Sequence, residues 1–277
     1  MTVVSCRQLA PRVGDLAGNC AMSIAAIQDA VAEGADVVVL PELVTTGYPF
    51  VSPDEVRSIA LPAGHRLFDA WSASLGEAGA VVIGGFAELG TDGLVYNSAA
   101  VVDASGIRAI YRKLHLWDLE KTFFAPGSAL PPVVETTHGR LGVMICYDME
   151  FPELTRMTAL NRADLLVVPT NWPIVDRPPG ERPPEVIVAM AAARVNRMAI
   201  ACCDRTGAER GQEWTAGSTI VNEQGWIASA TPLGVDTTAA TTATLDLTLG
   251  RNKNHTVLSH ALHDRRPNLY RSLVDTL

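Results

Sequence analysis

The stretch RLGVMICYDMEFPEL, residues Arg140–Leu154, carries the strongest fold signal in this chain. Its apolar run, Leu141–Ile145, is short and ends abruptly at Cys146, which is typical of a buried strand. A helix is expected to begin at Phe151-Pro152, because proline is tolerated in the first helical turn, where its missing N–H would have no partner. Cys146 is therefore predicted to lie on a strand-to-helix turn.

Two roles are open for Cys146 at such a turn. A thiolate there can be exposed, and the backbone N–H groups that follow it can face developing negative charge. This placement suits a nucleophile. The alternative is a structural cysteine, since free cysteine is among the most buried residue types. Spacing alone does not separate the two roles.

The rest of the chain alternates apolar strands with helical segments. Further strands are predicted at Thr2–Cys6, Asp36–Leu40, Ala80–Gly84, Leu165–Val168, Met198–Cys203 and Ala243–Leu247. Hairpins are predicted around the turns 104–106 and 222–225. Helices are predicted after Asn19, with Asn19 as a candidate N-cap, over Arg66–Ala78, after Pro152 and up to Asn196. Strands that are apolar throughout are buried on both faces, and their alternation with helices implies an α/β layered fold.

Length and charge argue against several classes of protein. The chain has 277 residues and a net charge of −8, with acidic and basic residues interspersed. That pattern disfavours a nucleic-acid-binding surface or a polybasic membrane patch. No apolar run reaches the roughly 18 residues of a membrane span, and the N-terminus carries no signal-peptide pattern. No change in composition marks a boundary, so we expect a single domain over residues 1–277.

The cysteines and histidines indicate neither disulfides nor a metal site. The five cysteines are irregularly spaced: Cys6, Cys20, Cys146, Cys202 and Cys203. An odd count without a regular pattern is not a disulfide framework, so a reducing cytoplasm is the expected compartment. His260 and His263 lack companion ligands at zinc-site spacing, and no metal is expected. The phosphate-binding glycine motifs of nucleotide folds are absent as well.

Three chemically reactive residues share one sequence context. Glu42 follows the strand that ends at Leu40, Lys113 follows a strand that ends at Tyr111, and Cys146 follows the strand described above. In α/β sheets, reactive groups collect at the carboxyl ends of strands, so these three are expected to converge. A carboxylate can take the thiol proton, an ammonium can stabilise an oxyanion, and a thiolate can attack a carbonyl. Each residue alone would more often be a solvated loop residue or, for the cysteine, a buried one.

Seven segments in this order resemble the nitrilase, or carbon–nitrogen hydrolase, superfamily. They are Leu40–Leu43 with Thr46–Tyr48, Asn97–Ser98, Tyr111–Leu116, Gly142–Asp148 with Phe151–Glu153, Pro169–Pro173, Cys203–Gly207 and Gly217–Ile220. Each fragment alone is weak, but their order and spacing are specific, and they span nearly the whole chain. The aliphatic-amidase-like branch is the part of the superfamily that the chain resembles.

The resemblance implies a four-layer α-β-β-α sandwich and a catalytic triad. By position the triad is Glu42, Lys113 and Cys146. Glu120 occupies the place of a second glutamate that would orient the lysine and the attacked carbonyl. No metal or organic cofactor is required by such chemistry. Relatives usually associate through one sandwich face, so a homodimer or larger homo-oligomer is expected, with the tail from about residue 249 in the interface.

The chemistry that follows is amide hydrolysis through a thioester on Cys146. Glu42 is the expected base, and Lys113 with the backbone N–H of Tyr147 is expected to stabilise the oxyanion. A papain-like dyad of Cys146 with His115 competes with this reading. It is less favoured, because Lys113 and His115 would point the same way on an extended segment.

One departure from the family pattern concerns charge at the substrate. Relatives that act on carboxylate-bearing substrates often carry an arginine at the position of Glu150. A carboxylate there would repel an acidic substrate, which favours neutral amides or amines. Other residues beside the matched segments are candidate substrate contacts: Tyr48, Trp117, Tyr147, Asn171, Trp172 and Pro173. Packing is the alternative role for Trp117 and Trp172.

The sequence leaves two other activities and one non-catalytic function open. The same triad could hydrolyse a nitrile, because a thiolate can equally attack a nitrile carbon. An N-carbamoyl amine such as carbamoylputrescine is another candidate substrate. A non-catalytic binding or scaffold protein that kept the fold belongs to a different class, and the intact Glu42, Lys113 and Cys146 argue against it. The expected partner is a small amide or nitrile substrate, with no nucleic acid and no membrane.

Overall fold

The computed structural model of the chain describes residues 1–233 and 238–274. Fourteen strands are present in these residues: β1 Thr2–Gln8, β2 Val37–Val39, β3 Val81–Leu89, β4 Val95–Asp103, β5 Gly106–Arg112, β6 Val133–Thr136, β7 Gly139–Val143, β8 Leu165–Pro169, β9 Ala199–Cys203, β10 Ala208–Glu209, β11 Gln212–Glu213, β12 Thr219–Val221, β13 Ile227–Ala230 and β14 Ala239–Leu245. The helices are α1 Leu16–Ala32, α2 Pro53–Ile59, α3 Arg66–Leu75, α4 Glu120–Phe123, α5 Pro152–Leu160, α6 Pro184–Asn196 and α7 Pro267–Val274.

Twelve of these strands form two six-stranded mixed sheets, and β10 and β11 form a separate two-stranded sheet. The first has the order β14-β1-β2-β3-β4-β5, and the second has the order β13-β12-β9-β8-β7-β6. Strands β1, β2 and β3 are parallel neighbours, as are β7, β8 and β9. Strand β5 runs in the same direction as β3, because two antiparallel pairings separate them. The carboxyl ends of β2 and β5 therefore lie at the same edge of the first sheet.

Three buried clusters define the layers. One contains side chains of both sheets and lies between them. A second joins the first sheet to α1 and α3, and a third joins the second sheet to α5 and α6. Strand alternation assigns the sides, since Val37 and Val39 face the other sheet while Val38 and Leu40 face the helices. The predicted α-β-β-α sandwich is confirmed.

The element predictions differ from the structure mainly at their ends. Helix α1 begins at Leu16 with Asp15 as its N-cap, accepting the N–H of Gly18, so the N-cap prediction for Asn19 was wrong. Asn19 lies inside the helix, where its side chain accepts the N–H of Arg12 and donates to two carbonyls of neighbouring loops. A polar residue that precedes a run of apolar helical positions resembles an N-cap in sequence. The sequence does not show that its side chain instead forms hydrogen bonds with the backbone of distant loops. The last strand, β14, also begins earlier than predicted and ends at Leu245.

The segment after residue 249 packs back onto the second sheet and its helices. Arg251 forms an ion pair with Asp164 at 2.9 Å. The ammonium of Lys253 donates to the carbonyls of Asn196 and Arg197 at 3.1 and 2.7 Å. These contacts hold the beginning of the tail against the outer face of the sandwich. Across the described ranges, no helix combines the length and the apolar character that crossing a membrane requires.

Candidate active site

The backbone at Cys146 adopts a conformation that side-chain-bearing residues rarely take. Cys146 has a φ of +46° and begins a 3-10 turn, Cys146–Glu150, between β7 and α5. Its side chain is partly exposed, unlike the apolar residues of β7 before it. Strained backbone of this kind is concentrated at functional sites, where the surrounding structure must hold it. The predicted strand-to-helix turn is present, with one extra 3-10 turn inserted.

Asp148 holds this turn against the segment that carries the lysine. Its buried carboxylate accepts the N–H groups of Ile145 at 3.3 Å and His115 at 2.9 Å. The hydroxyl of Tyr111 donates to the same carboxylate at 2.8 Å. Since Tyr111 lies near the end of β5, two residues before Lys113, the nucleophile turn and the lysine segment are positioned together.

His115 is engaged elsewhere than at the cysteine. Its Nδ1 lies 2.9 Å from Asp148, and its ring stacks on Phe151 with centroids 3.6 Å apart. These contacts describe a packing and positioning role. They give no support to the competing Cys146–His115 dyad.

Lys113 lies between two buried carboxylates. Its Nζ is 2.7 Å from Glu42 and 2.8 Å from Glu120. Lys113 and Glu42 are completely buried, and Glu120, the first residue of α4, is nearly so. The N–H of Trp117 donates to Oε2 of Glu120 at 2.8 Å, the same oxygen that lies 2.8 Å from Nζ. A buried charge of this kind is tolerated only when paired and hydrogen-bonded.

Asn97 completes this charged cluster and was not singled out as a site residue from the sequence. Its amide donates to Glu42 at 2.7 Å and to Glu120 at 3.1 Å, so it ties the two carboxylates together. Asn97 is placed by pairing, because the backbone N–H of Lys113 donates to its carbonyl at 2.8 Å. The only sign of Asn97 in the sequence was its resemblance to the strand that precedes the catalytic lysine in the nitrilase superfamily.

The protonation states follow from burial and charge. Burial alone would lower the pKa of Lys113, but the carboxylates of Glu120 and Glu42 outweigh it and raise that pKa, so the ammonium persists. For Glu42, burial raises the pKa to about 7, against the lowering effect of Lys113. One oxygen of Glu42, Oε2, is buried and has no hydrogen-bond partner among the described residues. That oxygen is free to accept a proton.

The sulfur of Cys146 is a thiol in the resting site. Burial and the nearby charge of Glu42 raise its pKa well above the usual value, while Lys113 and the backbone N–H of Asn171 act in the opposite direction. Nucleophilic attack therefore needs a base that removes the proton. Glu42 is the carboxylate whose charge has the largest effect on the pKa of this thiol.

Asn171 joins the strand ends of the two sheets. Its side-chain amide donates to the carbonyl of Glu42 at 2.9 Å, and the N–H of Glu42 donates to the carbonyl of Thr170 at 3.4 Å. Asn171 follows β8 of the second sheet, whereas Glu42 follows β2 of the first. The site is thus assembled across the interface between the sheets.

An apolar cavity of about 150 Å³ adjoins Glu120 and Asn171. Four of the predicted substrate contacts line it: Tyr48, Trp117, Asn171 and Pro173. Sequence reasoning missed four further aromatic lining residues, namely Phe50, Phe123, Phe124 and Trp214. Trp214 packs edge-on against Tyr48 with ring centroids 5.2 Å apart. Its sequence neighbourhood matches no catalytic segment, so only the fold reveals its place.

Three predicted substrate contacts do not line this cavity. The side chain of Trp172 is buried in the cluster beneath α5 and α6, in agreement with its alternative packing role. Tyr147 lies edge-on between Trp117 and Phe151, with centroids at 4.8 and 5.1 Å. Glu150 is exposed at the end of the 3-10 turn.

Comparison with known proteins gives the class of this chain. The carbon–nitrogen hydrolase family model matches residues 3–252. The chain is 33% identical over 272 residues to a nitrilase of Pyrococcus abyssi, covering 98% of this chain and 99% of that protein. It is 32% identical over 219 residues to an (R)-stereoselective amidase of a Pseudomonas species, covering 79% and 76% of the two chains.

The fold comparison agrees with the sequence comparison. The crystal structure of an amidase from a Nesterenkonia species superimposes with a TM-score of 0.79 at 25% identity, over 98% of this chain and 96% of that one. The protein belongs to the carbon–nitrogen hydrolase family, within the nitrilase superfamily.

Proposed function

We propose that this protein is a cysteine-dependent amidase that hydrolyses small uncharged amides to a carboxylic acid and ammonia. The observation that carries the proposal is the buried cluster of Glu42, Lys113 and Glu120 beside Cys146, with one oxygen of Glu42 unpartnered. Relatives named as amidases, from Pseudomonas and Nesterenkonia, support this class of reaction.

Acylation begins with proton transfer from Cys146 to Glu42. The thiolate attacks the carbonyl carbon of the amide, and the electron pair of the C=O bond moves to oxygen. Lys113, a permanent ammonium, and the backbone N–H of Tyr147 are the donors for that oxyanion. Protonated Glu42 then gives its proton to the amide nitrogen, the C–N bond breaks, and ammonia leaves behind a thioester.

Deacylation uses the same groups in reverse order. Glu42, again ionised, takes a proton from a water molecule as that water attacks the thioester carbonyl. Collapse of the second oxyanion breaks the C–S bond, the carboxylic acid is released, and the proton held by Glu42 returns to the sulfur of Cys146. Glu120 and Asn97 hold the lysine and the base in place through both halves.

The chemistry of the surroundings supports a small uncharged substrate. The adjoining cavity is small, and six of the thirteen residues that line it are aromatic, which suits an apolar acyl group. Glu150 does not line this cavity, so it gives no support for the exclusion of anionic substrates. Asp118 and Glu120 do line the cavity, and carboxylates there disfavour an anionic substrate.

The test is ammonia release from a matched panel of short amides, their nitriles and their ureido analogues at equal concentration. We expect the amides to be turned over fastest, and Cys146→Ala to release none. Faster turnover of the nitriles would support a nitrilase, the activity after which the Pyrococcus relative is named. Faster turnover of the ureido compounds would indicate an N-carbamoyl amine hydrolase, and full activity of Cys146→Ala would exclude the mechanism.

The proposal includes a homo-oligomer. Apolar side chains are exposed on the outer helices and in the tail, namely Met157, Leu160, Ile187, Val195, Val257 and Leu258. Exposed apolar surface of this kind is typical of association sites, and the tail from residue 249 lies against the same helices. Light scattering at micromolar concentration should give at least twice the 29.5 kDa chain mass. A mass equal to one chain would overturn this part of the proposal.

A further inference from the structure

Asp204 is a completely buried carboxylate directly after β9. One of its oxygens accepts the N–H groups of Trp172 and Arg205, both at 2.9 Å. The other accepts the N–H of Gly217 at 2.9 Å. The guanidinium of Arg205 is directed elsewhere, to Glu209 at 2.7 Å and to a backbone carbonyl at 2.8 Å. Backbone N–H groups therefore surround this carboxylate.

The first of these N–H groups belongs to the segment that reaches the active site. Trp172 directly follows Asn171, whose side chain donates to the carbonyl of Glu42 and whose N–H acts on the sulfur of Cys146. The N–H that binds Asp204 and the N–H that acts on Cys146 therefore belong to adjacent residues, Trp172 and Asn171. A displacement of the segment at Trp172 would move the Asn171 N–H away from the sulfur.

The second contact leads to the wall of the cavity. Gly217 ends the short segment that carries Trp214, which lines the cavity. Thr215 of this segment donates to the carbonyls of Trp172 and Pro173, at 2.9 Å in each case. Asp204 therefore joins the nucleophile-side segment to the aromatic wall at a single carboxylate.

We propose that Asp204 is a positioning residue for the amidase reaction, holding Asn171 against Cys146 and Glu42 and holding Trp214 in the cavity wall. This rests on the proposed function for the reaction, whereas the placement rests on the hydrogen bonds of Asp204, Asn171 and Thr215. Because N–H groups from three parts of the chain converge on one carboxylate, loss of either oxygen as an acceptor loosens the site on two sides.

A matched control is available in Asp164, a second buried carboxylate that accepts a backbone N–H. It accepts the N–H of Arg140 at 3.0 Å and is paired with Arg251. Asp164 precedes β8, whereas Asn171 follows it, so the two lie at opposite ends of that strand. Replacing Asp164 tests the cost of losing a buried carboxylate without disturbing the active site.

The experiment compares Asp204→Asn with Asp164→Asn. Asparagine has nearly the shape of aspartate but one acceptor oxygen only, so its NH₂ group would face an N–H donor. In Asp204→Asn we expect kcat to fall about tenfold or more and KM to rise, as expected when reacting groups are misplaced. The rate at which iodoacetamide alkylates Cys146 should fall as well. In Asp164→Asn we expect a lower Tm, with unchanged kcat, KM and alkylation rate.

Two results would overturn the proposal. One is a folded Asp204→Asn protein whose kcat, KM and alkylation rate match the wild type; the other is an equal loss in both variants. If Asp204→Asn does not fold, Ser218→Ala decides, since the hydroxyl of Ser218 accepts the N–H of Asp204 at 2.9 Å. It should show the same losses, smaller in size, and unchanged values would refute the role. Alkylation needs no amide substrate, so it separates failure of this role from failure of the proposed function.

Discussion

Cys146 and Cys203 stand at the ends of two strands of the same sheet, yet only one has the surroundings of a nucleophile. Burial is the largest influence on both thiols and raises the pKa of each well above its usual value. Cys203 is completely buried, donates to the carbonyl of Arg7 at 3.3 Å, and lies beside Cys6. Cys146 is partly exposed on a strained turn, close to Glu42.

This difference shows that a position at the end of a strand does not by itself make a cysteine reactive. A thiol with a raised pKa is inert unless a base can take its proton. Glu42 can do so at Cys146, because one of its oxygens is unpartnered. Cys203 has the carbonyl of Arg7 and the thiol of Cys6 as partners, and neither is a base near neutral pH. Asp204 also lies close enough to raise the pKa of Cys203, but both of its oxygens already accept backbone N–H groups. Four predictions break or sharpen this comparison.

The largest effect is expected for Cys146→Ala, which should reduce ammonia release to background, because no other group can form the thioester. The measurement is steady-state ammonia release with the best amide of the panel. Circular dichroism should show that the variant is folded. Residual turnover near the wild-type rate would mean that the nucleophile lies elsewhere.

Glu42→Gln should lower kcat by about 10²–10⁴-fold, the usual contribution of a general acid–base group. The pH profile carries a second readout. Ionised Glu42 is the active form, so wild-type kcat/KM should rise with pH through about 7 and fall below it. Glu42→Gln should lose that rise. A wild-type rise that persists in the variant would assign it to a different group.

Glu120→Gln should have a smaller effect, about tenfold on kcat, because Lys113 keeps Glu42 as a partner. Glutamine can still accept the N–H of Trp117, so the loop should stay in place. Ammonia release over a range of substrate concentrations separates kcat from KM. Unchanged turnover would make Glu120 a bystander.

The smallest effect on catalysis is expected for Cys203→Ala. Loss of a buried sulfur should cost about 1 kcal/mol of stability through packing, with kcat unchanged. Thermal unfolding and ammonia release measure the two quantities separately. In the wild type, iodoacetamide should label Cys146 well before Cys203, and equal labelling rates would remove the contrast between them.

Much of the fold could be predicted from the sequence, because the local hydrophobic patterns match the layers of the structure. The alternation of apolar strands with helices, and the apolar run before Cys146, predicted the layered architecture. Predictions failed where a side chain serves distant backbone: Asn19 was read as a cap but bonds to neighbouring loops inside a helix. Strand β6 was not predicted, because its residues are mixed in character at a sheet edge.

The residues of the candidate site also fall into two groups, those that the sequence identified and those that only the structure revealed. Glu42, Lys113 and Cys146 were identified from sequence, since each lies within three residues of the end of a strand, inside a matched segment. Asn97, Asp148, Asp204 and four of the six aromatic residues lining the cavity were not assigned roles, because their partners lie far along the chain. Trp172 shows the converse: it stands in a matched segment, but its side chain packs into the core.

Residue types and their order along the chain establish the layered fold, the family and the three reactive groups, because periodicity and short motifs are local properties. The depth of burial that raises the pKa of Glu42, the free oxygen it keeps and the cavity beside it are properties of packing between the two sheets. They depend on side chains from separate strands and loops that come together in one buried region, and no single segment of the sequence determines that arrangement.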